Sequence, residues 1–344
     1  MIITRTPYRV SFFGGGSDFP EHYEKYGGAV LSSTINRYSY LHCRILPPFF
    51  DHRYRIRYFQ TERVGRLEDI QHPSVRECLR FLKYPHPLEI LHSGDIPAMS
   101  GIGSSSAFTV GLLMALHGLM DHMVTKRELA EQAISVEQNW IGENVGSQDQ
   151  YAAAFGGFNR IDFGPGRSVR VNPVMVRPEK NDYLQSCLLF CFSGIARFSS
   201  DIQFEQAGRL KENRGALNDM AALVDEAQGI LNGPEAGLDD FGRLLHTAWE
   251  IKRRLSPRVS SPTIDDLYDT ARRAGALGGK ICGAGGGGFL IFFVPPDKRP
   301  AVLAALKRCL IVPIYFENIG AHVIFFSHEE EHLPLSGPKP FFPV

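Results

Sequence analysis

The sequence predicts an α+β protein of two halves that meet at a cleft. Three observations predict it. Strand-like runs alternate with helical runs along all 344 residues. Glycine-rich runs stand at three places, 14–16, 101–103 and 283–288. No internal repeat or low-complexity tract interrupts the pattern.

Each element follows from local pattern. Residues 2–5 and 9–13 read as strands, and so do 29–35 and 38–46, until Pro47-Pro48 breaks the run. Residues 54–59 form a short strand, 74–81 a helix, and 88–93 a strand that runs into Gly94-Asp95-Ile96-Pro97. Ala107, Val110, Leu113, Ala115 and Leu116 then recur at helical spacing as far as Met120. Thr125 caps a further helix, with Glu128 completing a capping box, that runs through Leu129, Ala133, Ile134 and Glu137. The second half carries strands at 158–163 and 184–193 and helices at 213–231, 239–255 and 264–274. A buried strand at 288–294, an amphipathic helix at 299–310 and a final strand at 321–326 follow. The expected division is an N-terminal half 1–180, a C-terminal half 181–330, and an irregular tail 331–344, charged and then rich in proline.

Composition narrows the partners. Lys plus Arg and Asp plus Glu are both 37, so the formal net charge is zero, with 44% hydrophobic and 22% charged residues. That balance argues against a nucleic-acid partner or an anionic membrane surface. No apolar run approaches the roughly 20 residues that cross a bilayer. The start, Met1-Ile2-Ile3-Thr4-Arg5, lacks the apolar core of a signal peptide and reads as a strand. Six cysteines without a Cys-x-x-Cys pair (Cys43, Cys78, Cys187, Cys191, Cys282 and Cys309) read as buried thiols in a reducing, cytoplasmic setting. The histidines form no ligand-spaced cluster with them that would suit zinc.

The run Pro97-Ala98-Met99-Ser100-Gly101-Ile102-Gly103-Ser104-Ser105-Ser106-Ala107 leads straight into a helix. Glycines let backbone amides come close to a ligand. A helix start presents unpaired N–H groups and a positive dipole end, which suits phosphate. Pro97, Gly101, Ile102, Gly103, Ser104, Ser105 and Ser106 are therefore the expected nucleotide-phosphate residues. This is not a Walker loop, since no Gly-Lys-Ser/Thr follows. Taken alone, the run also fits a plain connecting loop.

Two further runs bear on that choice: Thr6-Pro7-Tyr8-Arg9-Val10-Ser11-Phe12-Phe13-Gly14-Gly15-Gly16-Ser17-Asp18, and Lys280-Ile281-Cys282-Gly283-Ala284-Gly285-Gly286-Gly287-Gly288-Phe289. In this order the three resemble the motifs of the GHMP kinase family of galactokinase, homoserine kinase, mevalonate kinase and phosphomevalonate kinase. The central run is similar to Pro-x-x-x-Gly-Leu-Gly-Ser-Ser-Ala, with Ile102 in place of leucine. The resemblance implies an N-terminal half related to the ribosomal S5 domain 2 fold and a ferredoxin-like C-terminal half. It implies ATP as phosphoryl donor and Mg2+ held by a motif serine and a glutamate, for which Ser105 and Glu137 stand in place. Gly146-Ser147-Gln148-Asp149-Gln150 resembles the family's Met-Asp-Gln segment, making Asp149 the catalytic carboxylate, with Arg9 as its basic partner.

The first and third runs speak to the acceptor. In the sugar-kinase branch the aspartate matching Asp18 follows Gly-Glu-His-Thr. Here Gly15 and Gly16 replace the two large polar residues, which frees volume. Gly14-Gly15-Gly16-Ser17-Asp18 resembles the heptose kinases that phosphorylate D-glycero-D-manno-heptose 7-phosphate at O1, and also the fucokinase-type segment Gly-Gly-Trp-Ser-Asp. Expected acceptor residues are Gly15, Gly16, Ser17, Asp18, Gly283, Gly285 and Gly286. Arg197, in Ser193-Gly194-Ile195-Ala196-Arg197, is the expected clamp for an acceptor phosphate, with Lys252 and Arg253 as further cations. The expected partner is a small sugar or sugar phosphate; a homodimer stays open. A free-sugar kinase of fucokinase or galactokinase type is the alternative. A non-catalytic ATP and sugar sensor, or a mevalonate-type enzyme, fits the intact Arg9, Ser105, Glu137 and Asp149 or the sugar-type Ser17-Asp18 less well.

Overall fold

The computed structural model describes residues 1–195, 199–233 and 237–327. Strand β1 (Ile2–Phe13) runs unbroken through Pro7, where two strands had been expected. A proline lacks the N–H that a ladder needs. The ladder yields there: Pro7 faces Tyr38 and Tyr8 faces Ile35, so Asn36 and Arg37 bulge out of the partner strand. After α1 (Pro20–Tyr26), that partner is β2 (Gly28–Ile45), also one strand rather than two. Beyond it come β3 (Tyr54–Arg57), β4 (Thr61–Val64), α2 (Pro73–Phe81), β5 (Leu88–Gly94) and α3 (Ser104–Leu119). Then α4 (Lys126–Ser135) passes into a single π turn over Val136–Ile141, followed by α5 (Gln148–Phe155), β6 (Phe158–Gly164) and β7 (Ser168–Pro173).

The length of β2 has a reason. One edge pairs with β1 over residues 31–43, while the other edge is shared, residues 28–33 by β6 and 39–45 by β5. The apolar helix α3 lies against this sheet. It touches it through Gly111 and Gly118, where an added Cβ would sit 2.7 Å from Thr6 Oγ1 and 2.4 Å from Ile2 Cδ1. Thr125 and Glu128 form the expected capping box at the start of α4.

The second half contains α6 (Pro178–Cys187), β8 (Leu188–Phe192), α7 (Ser199–Gly208), α8 (Arg214–Asn232) and α9 (Asp239–Leu255). It continues with α10 (Pro262–Arg273), β9 (Gly278–Ile281), β10 (Phe289–Phe293), α11 (Arg299–Ala305) and β11 (Leu310–Ile311). Its four strands form an antiparallel sheet in the order β11-β8-β10-β9, the ferredoxin-like arrangement. The apolar run over 288–294 is central in it, and each residue of β10 is buried.

The halves are sewn together. Phe12 and Phe13 of β1 meet Phe241 of α9 edge to face, at 5.5 and 5.1 Å between ring centres. The chain also returns: Phe316 bridges to Ile35, and β12 (His322–Phe326) pairs antiparallel with β1. The segment that ends the C-terminal half in sequence thus closes on the N-terminal sheet, because β1 would otherwise carry an unpaired edge. Five of the six cysteines are buried and Cys309 is half-buried, all as unbridged thiols.

Candidate active site

Arg9 lies on β1 and is 5% exposed. Its backbone N–H donates to Ile102 O at 3.1 Å, which moors the second glycine loop on the sheet. Its guanidinium grips Asp149 with two parallel bonds, Nε to Oδ1 and Nη2 to Oδ2, each 2.7 Å. Nη1 donates to Gly101 O at 2.8 Å. Only arginine has this rigid fork. Asp149 stands in the first turn of α5, where the helix dipole favours a carboxylate, and its side chain keeps 20% exposure. The result is a carboxylate fixed in direction yet open to a ligand.

Asp18 is 1% exposed. Oδ1 accepts from Gly16 N at 2.9 Å and Oδ2 from Gln148 N at 3.2 Å. Ser147 N donates to its carbonyl at 3.0 Å. Gly146 leaves the space: a Cβ there would sit 2.0 Å from Asp18 Oδ2. The segment before Asp149 is thereby wrapped round Asp18, and both carboxylates share the start of α5. Burial pushes the Asp18 carboxyl up and nearby Asp149 adds to this, while the Gly16 and Gln148 donors lower it.

The rest of the first run divides into scaffold and open space. Ser17 is fully buried; its Oγ donates to Gly14 O at 2.8 Å and Ala29 O at 3.1 Å and accepts from Ala29 N. Its hydroxyl, expected to meet the acceptor, holds the loop instead. Gly16, at φ +102°, presents its amide to Asp18. Gly15 is half-buried, and a Cβ there would meet Ser11 Oγ at 3.6 Å and Gln148 Nε2 at 3.7 Å.

In the second run, Gly103 caps α3 in the left-handed region at φ 74°, and no side chain caps the helix. The amides of Ser104, Ser105 and Ser106 thus open a helix whose first turn suits an anion. The serines do not act as caps, and the Ile102 side chain is buried in the core, leaving its backbone alone at the loop. Pro97 is exposed at the rim, and its carbonyl accepts from Ser100 Oγ.

Glu137 sits in the π turn, fully buried. Its Oε2 accepts from Ser106 Oγ at 2.9 Å and from Gln150 Nε2 at 2.5 Å. Ser105, the serine expected with Glu137 at the metal, is exposed, while Ser106, one residue on and about 100° round the helix, turns inward. Glu137 Oε1 is buried without a hydrogen-bond partner among the described residues. Burial pushes this carboxyl up to about 7, with Glu143 adding to the rise.

No group of three or more His, Cys, Asp or Glu suited to a metal occurs among the described residues. Mg2+ asks for less: one or two carboxylates beside phosphates, hydroxyls and water. The unpartnered Glu137 oxygen, on the carboxylate that Ser106 bonds, fits such an ion.

The third run chiefly joins the halves. A Cβ on Gly101 would lie 2.6 Å from Cys282 O, and one on Gly283 2.6 Å from Gly101 Cα. Gly285 abuts the Val259 backbone, and Gly286 N donates to Val259 O at 2.9 Å. These three glycines, expected at the acceptor, are occupied by backbone packing. Arg197 lies outside the described residues.

The second half does deliver cations. Lys252 of α9 is 7% exposed, with Nζ donating to Ile281 O at 3.2 Å and to Gly283 O. Burial lowers it to about 8, and it senses Arg9, Asp18 and Asp149. Arg253 instead faces outward, to Glu250 at 3.2 Å. Lys280 of β9 is buried and donates to Ser11 O at 2.9 Å and Phe12 O at 2.8 Å, holding β1 just before its glycines. Burial lowers its ammonium well below its ordinary value, and Lys252 lowers it further. Gln150 and Lys280 escaped the sequence reading, and Ser106, expected at the phosphates, was not paired with Glu137 there. The only signal for Lys280 was a lysine inside an otherwise apolar strand.

Known proteins resemble this chain in sequence and fold. Residues 73–157 match the GHMP kinases N terminal domain and 234–312 the GHMP kinases C terminal domain. The chain is 31% identical over 319 residues to a D-glycero-alpha-D-manno-heptose 7-phosphate kinase of Campylobacter jejuni, covering 89% of this chain and 93% of that one. The crystal structure of a D-glycero-D-manno-heptose 1-phosphate kinase of Bacteroides thetaiotaomicron superposes with a TM-score of 0.78 at 26% identity, covering 95% and 100%. Lactococcus lactis galactokinase complexed with galactose shares the fold, with a TM-score of 0.70 at 20% identity over 93% and 94%. With the glycine loops, the gripped carboxylate and both family domains in place, the chain belongs to the GHMP kinase family.

Proposed function

We propose that the protein transfers the γ-phosphoryl group of ATP to O1 of D-glycero-D-manno-heptose 7-phosphate in the cytoplasm, with Mg2+ as the metal. The observation that carries this reading is the bidentate Arg9–Asp149 pair, set between the uncapped start of α3 and the buried Asp18. The extent of similarity to the Campylobacter jejuni kinase supports the acceptor.

In this mechanism the amides at the start of α3 cradle phosphate oxygens. Asp149 takes the proton of the acceptor hydroxyl as the new O–P bond forms and the bond from the γ-phosphorus to the ADP oxygen breaks. Arg9 keeps Asp149 aimed and offsets negative charge at the transferring group. Glu137, with the hydroxyls of Ser105 and Ser106, would hold Mg2+, which when bound offsets phosphate charge. Lys252 adds a second cation beside Asp18 and Asp149, and Arg197 is the proposed clamp on the acceptor phosphate.

The test is ADP release from purified protein with ATP, Mg2+ and a panel of sugars and sugar phosphates. Release with heptose 7-phosphate but not galactose or fucose is expected. Release with a free sugar alone would keep the kinase and reject the phosphorylated acceptor.

A further inference from the structure

Two buried polar side chains converge beside Gly15. Ser11 Oγ, on β1 two residues beyond Arg9, is enclosed and has no hydrogen-bond partner among the described residues. Gln148 Oε1, one residue before Asp149, is enclosed and likewise unpartnered. The Gln148 side-chain amide helps hold the Asp18 carboxyl down, which turns its nitrogen toward Asp18 and leaves the oxygen available. Gly15 ties them together. From the place its Cβ would occupy, Ser11 Oγ is 3.6 Å away and Gln148 Nε2 3.7 Å, and no other heavy atom of the described residues beyond its chain neighbours lies within 4 Å.

Gly15 does not sit in the left-handed region, so its backbone has no need of glycine. What the missing side chain provides is room. Buried polar atoms without partners are rare in folded proteins and call for an explanation. Two of them flank a gap that opens next to Asp18 and one residue from Asp149.

We propose that Ser11 and Gln148 are specificity-determining residues that hydrogen-bond two hydroxyls of the acceptor sugar in the space left by Gly15. Ser11 offers a donor and Gln148 Oε1 an acceptor, and Asp18 lies alongside. This complementary set fits neighbouring hydroxyls on a sugar ring, each of which both donates and accepts. A site built to pair a hydroxyl rejects an analogue lacking it far more strongly than an apolar pocket rejects an extra group. The inference rests on the sugar-kinase reading above.

The test is calorimetric titration of the protein with D-glycero-D-manno-heptose 7-phosphate, without nucleotide, alongside galactose, fucose and mannose 6-phosphate. Ser11→Ala and Gln148→Leu are each expected to weaken binding of the accepted sugar about tenfold. Gly15→Ala, whose methyl meets only ordinary contacts, is expected to weaken it at least as much by filling the gap. ADP affinity, measured in parallel, should stay at the wild-type value and so report an intact fold. A single-deoxy analogue should bind wild type poorly and show no further loss in the matching variant. Unchanged sugar affinity in all three variants overturns the proposal and leaves the kinase reading standing. Wild-type binding of a free sugar but not heptose 7-phosphate rejects the phosphorylated acceptor, and the pair is then judged on the sugar that binds. Absence of binding by every sugar, with ADP bound normally, overturns both.

Discussion

Arg9 and Asp149, 140 positions apart in sequence, meet through two parallel N–H···O bonds of 2.7 Å. One residue comes from the first strand and the other from the first turn of α5. The second glycine loop is tied to the same guanidinium through Gly101 O. Any motion of the loop is therefore felt at the carboxylate.

The first prediction concerns that pair. Asp149→Asn should cost about 10²-fold or more in turnover if the carboxylate takes the acceptor proton. Arg9→Lys keeps the charge but loses the fork, and should lower turnover about tenfold or more. Steady-state kinetics with ATP and the accepted sugar check both. Near-normal turnover in Asp149→Asn would remove it as the base.

The second concerns pH. Burial pushes the folded Glu137 carboxyl up to about 7, against about 4.5 for an exposed glutamate. The folded protein thus holds this proton more tightly than the unfolded chain. The stabilisation is complete below about pH 4.5 and is lost as pH rises toward about 7, a difference of about 3 kcal/mol from the two values. Glu137→Gln should flatten this part of the stability curve and raise the melting temperature of the ligand-free protein at pH 8. Parallel curves for the two proteins would contradict the assignment.

A third separates two neighbouring serines. Ser106 bonds Glu137 and is buried, whereas Ser105 is exposed. Ser106→Ala should therefore lower thermal stability by about 1 kcal/mol, with Ser105→Ala near wild type. Both should raise the Mg2+ concentration required for half-maximal turnover. An effect of Ser105→Ala on stability larger than that of Ser106→Ala would reverse the roles.

The fourth concerns the seam between the halves. Gly101 and Gly283 touch backbone to backbone at φ +78° and +65°. Gly101→Ala or Gly283→Ala should each destabilise by about 3 kcal/mol, from steric overlap and left-handed strain together. Gly142, at φ +81° with nothing within 4 Å, isolates the strain alone, and Gly142→Ala should cost only ~1 kcal/mol. Chemical denaturation of the three variants distinguishes the two terms. Equal losses would mean that the close approach is unimportant.

The sequence by itself determined the α+β class, the capping box at Thr125 and Glu128 and the three glycine runs, and its motif resemblance singled out Arg9, Asp18, Glu137 and Asp149 as candidate charged residues. These features are local or follow from motif spacing, so they survive being read along a line. Only the tertiary structure decided which serine meets Glu137. Three consecutive serines look alike in sequence, and the helical rotation of about 100° per residue chooses one. It also decided that Gly283, Gly285 and Gly286 pack against Gly101 and Val259, because close approach involves residues far apart in the chain. The same holds for β12 returning to β1, and for the buried Lys280 that holds Ser11 and Phe12. Periodicity reports which face of an element is buried; what it is buried against is fixed when distant segments compete for the same free edge and the same unpaired carbonyls.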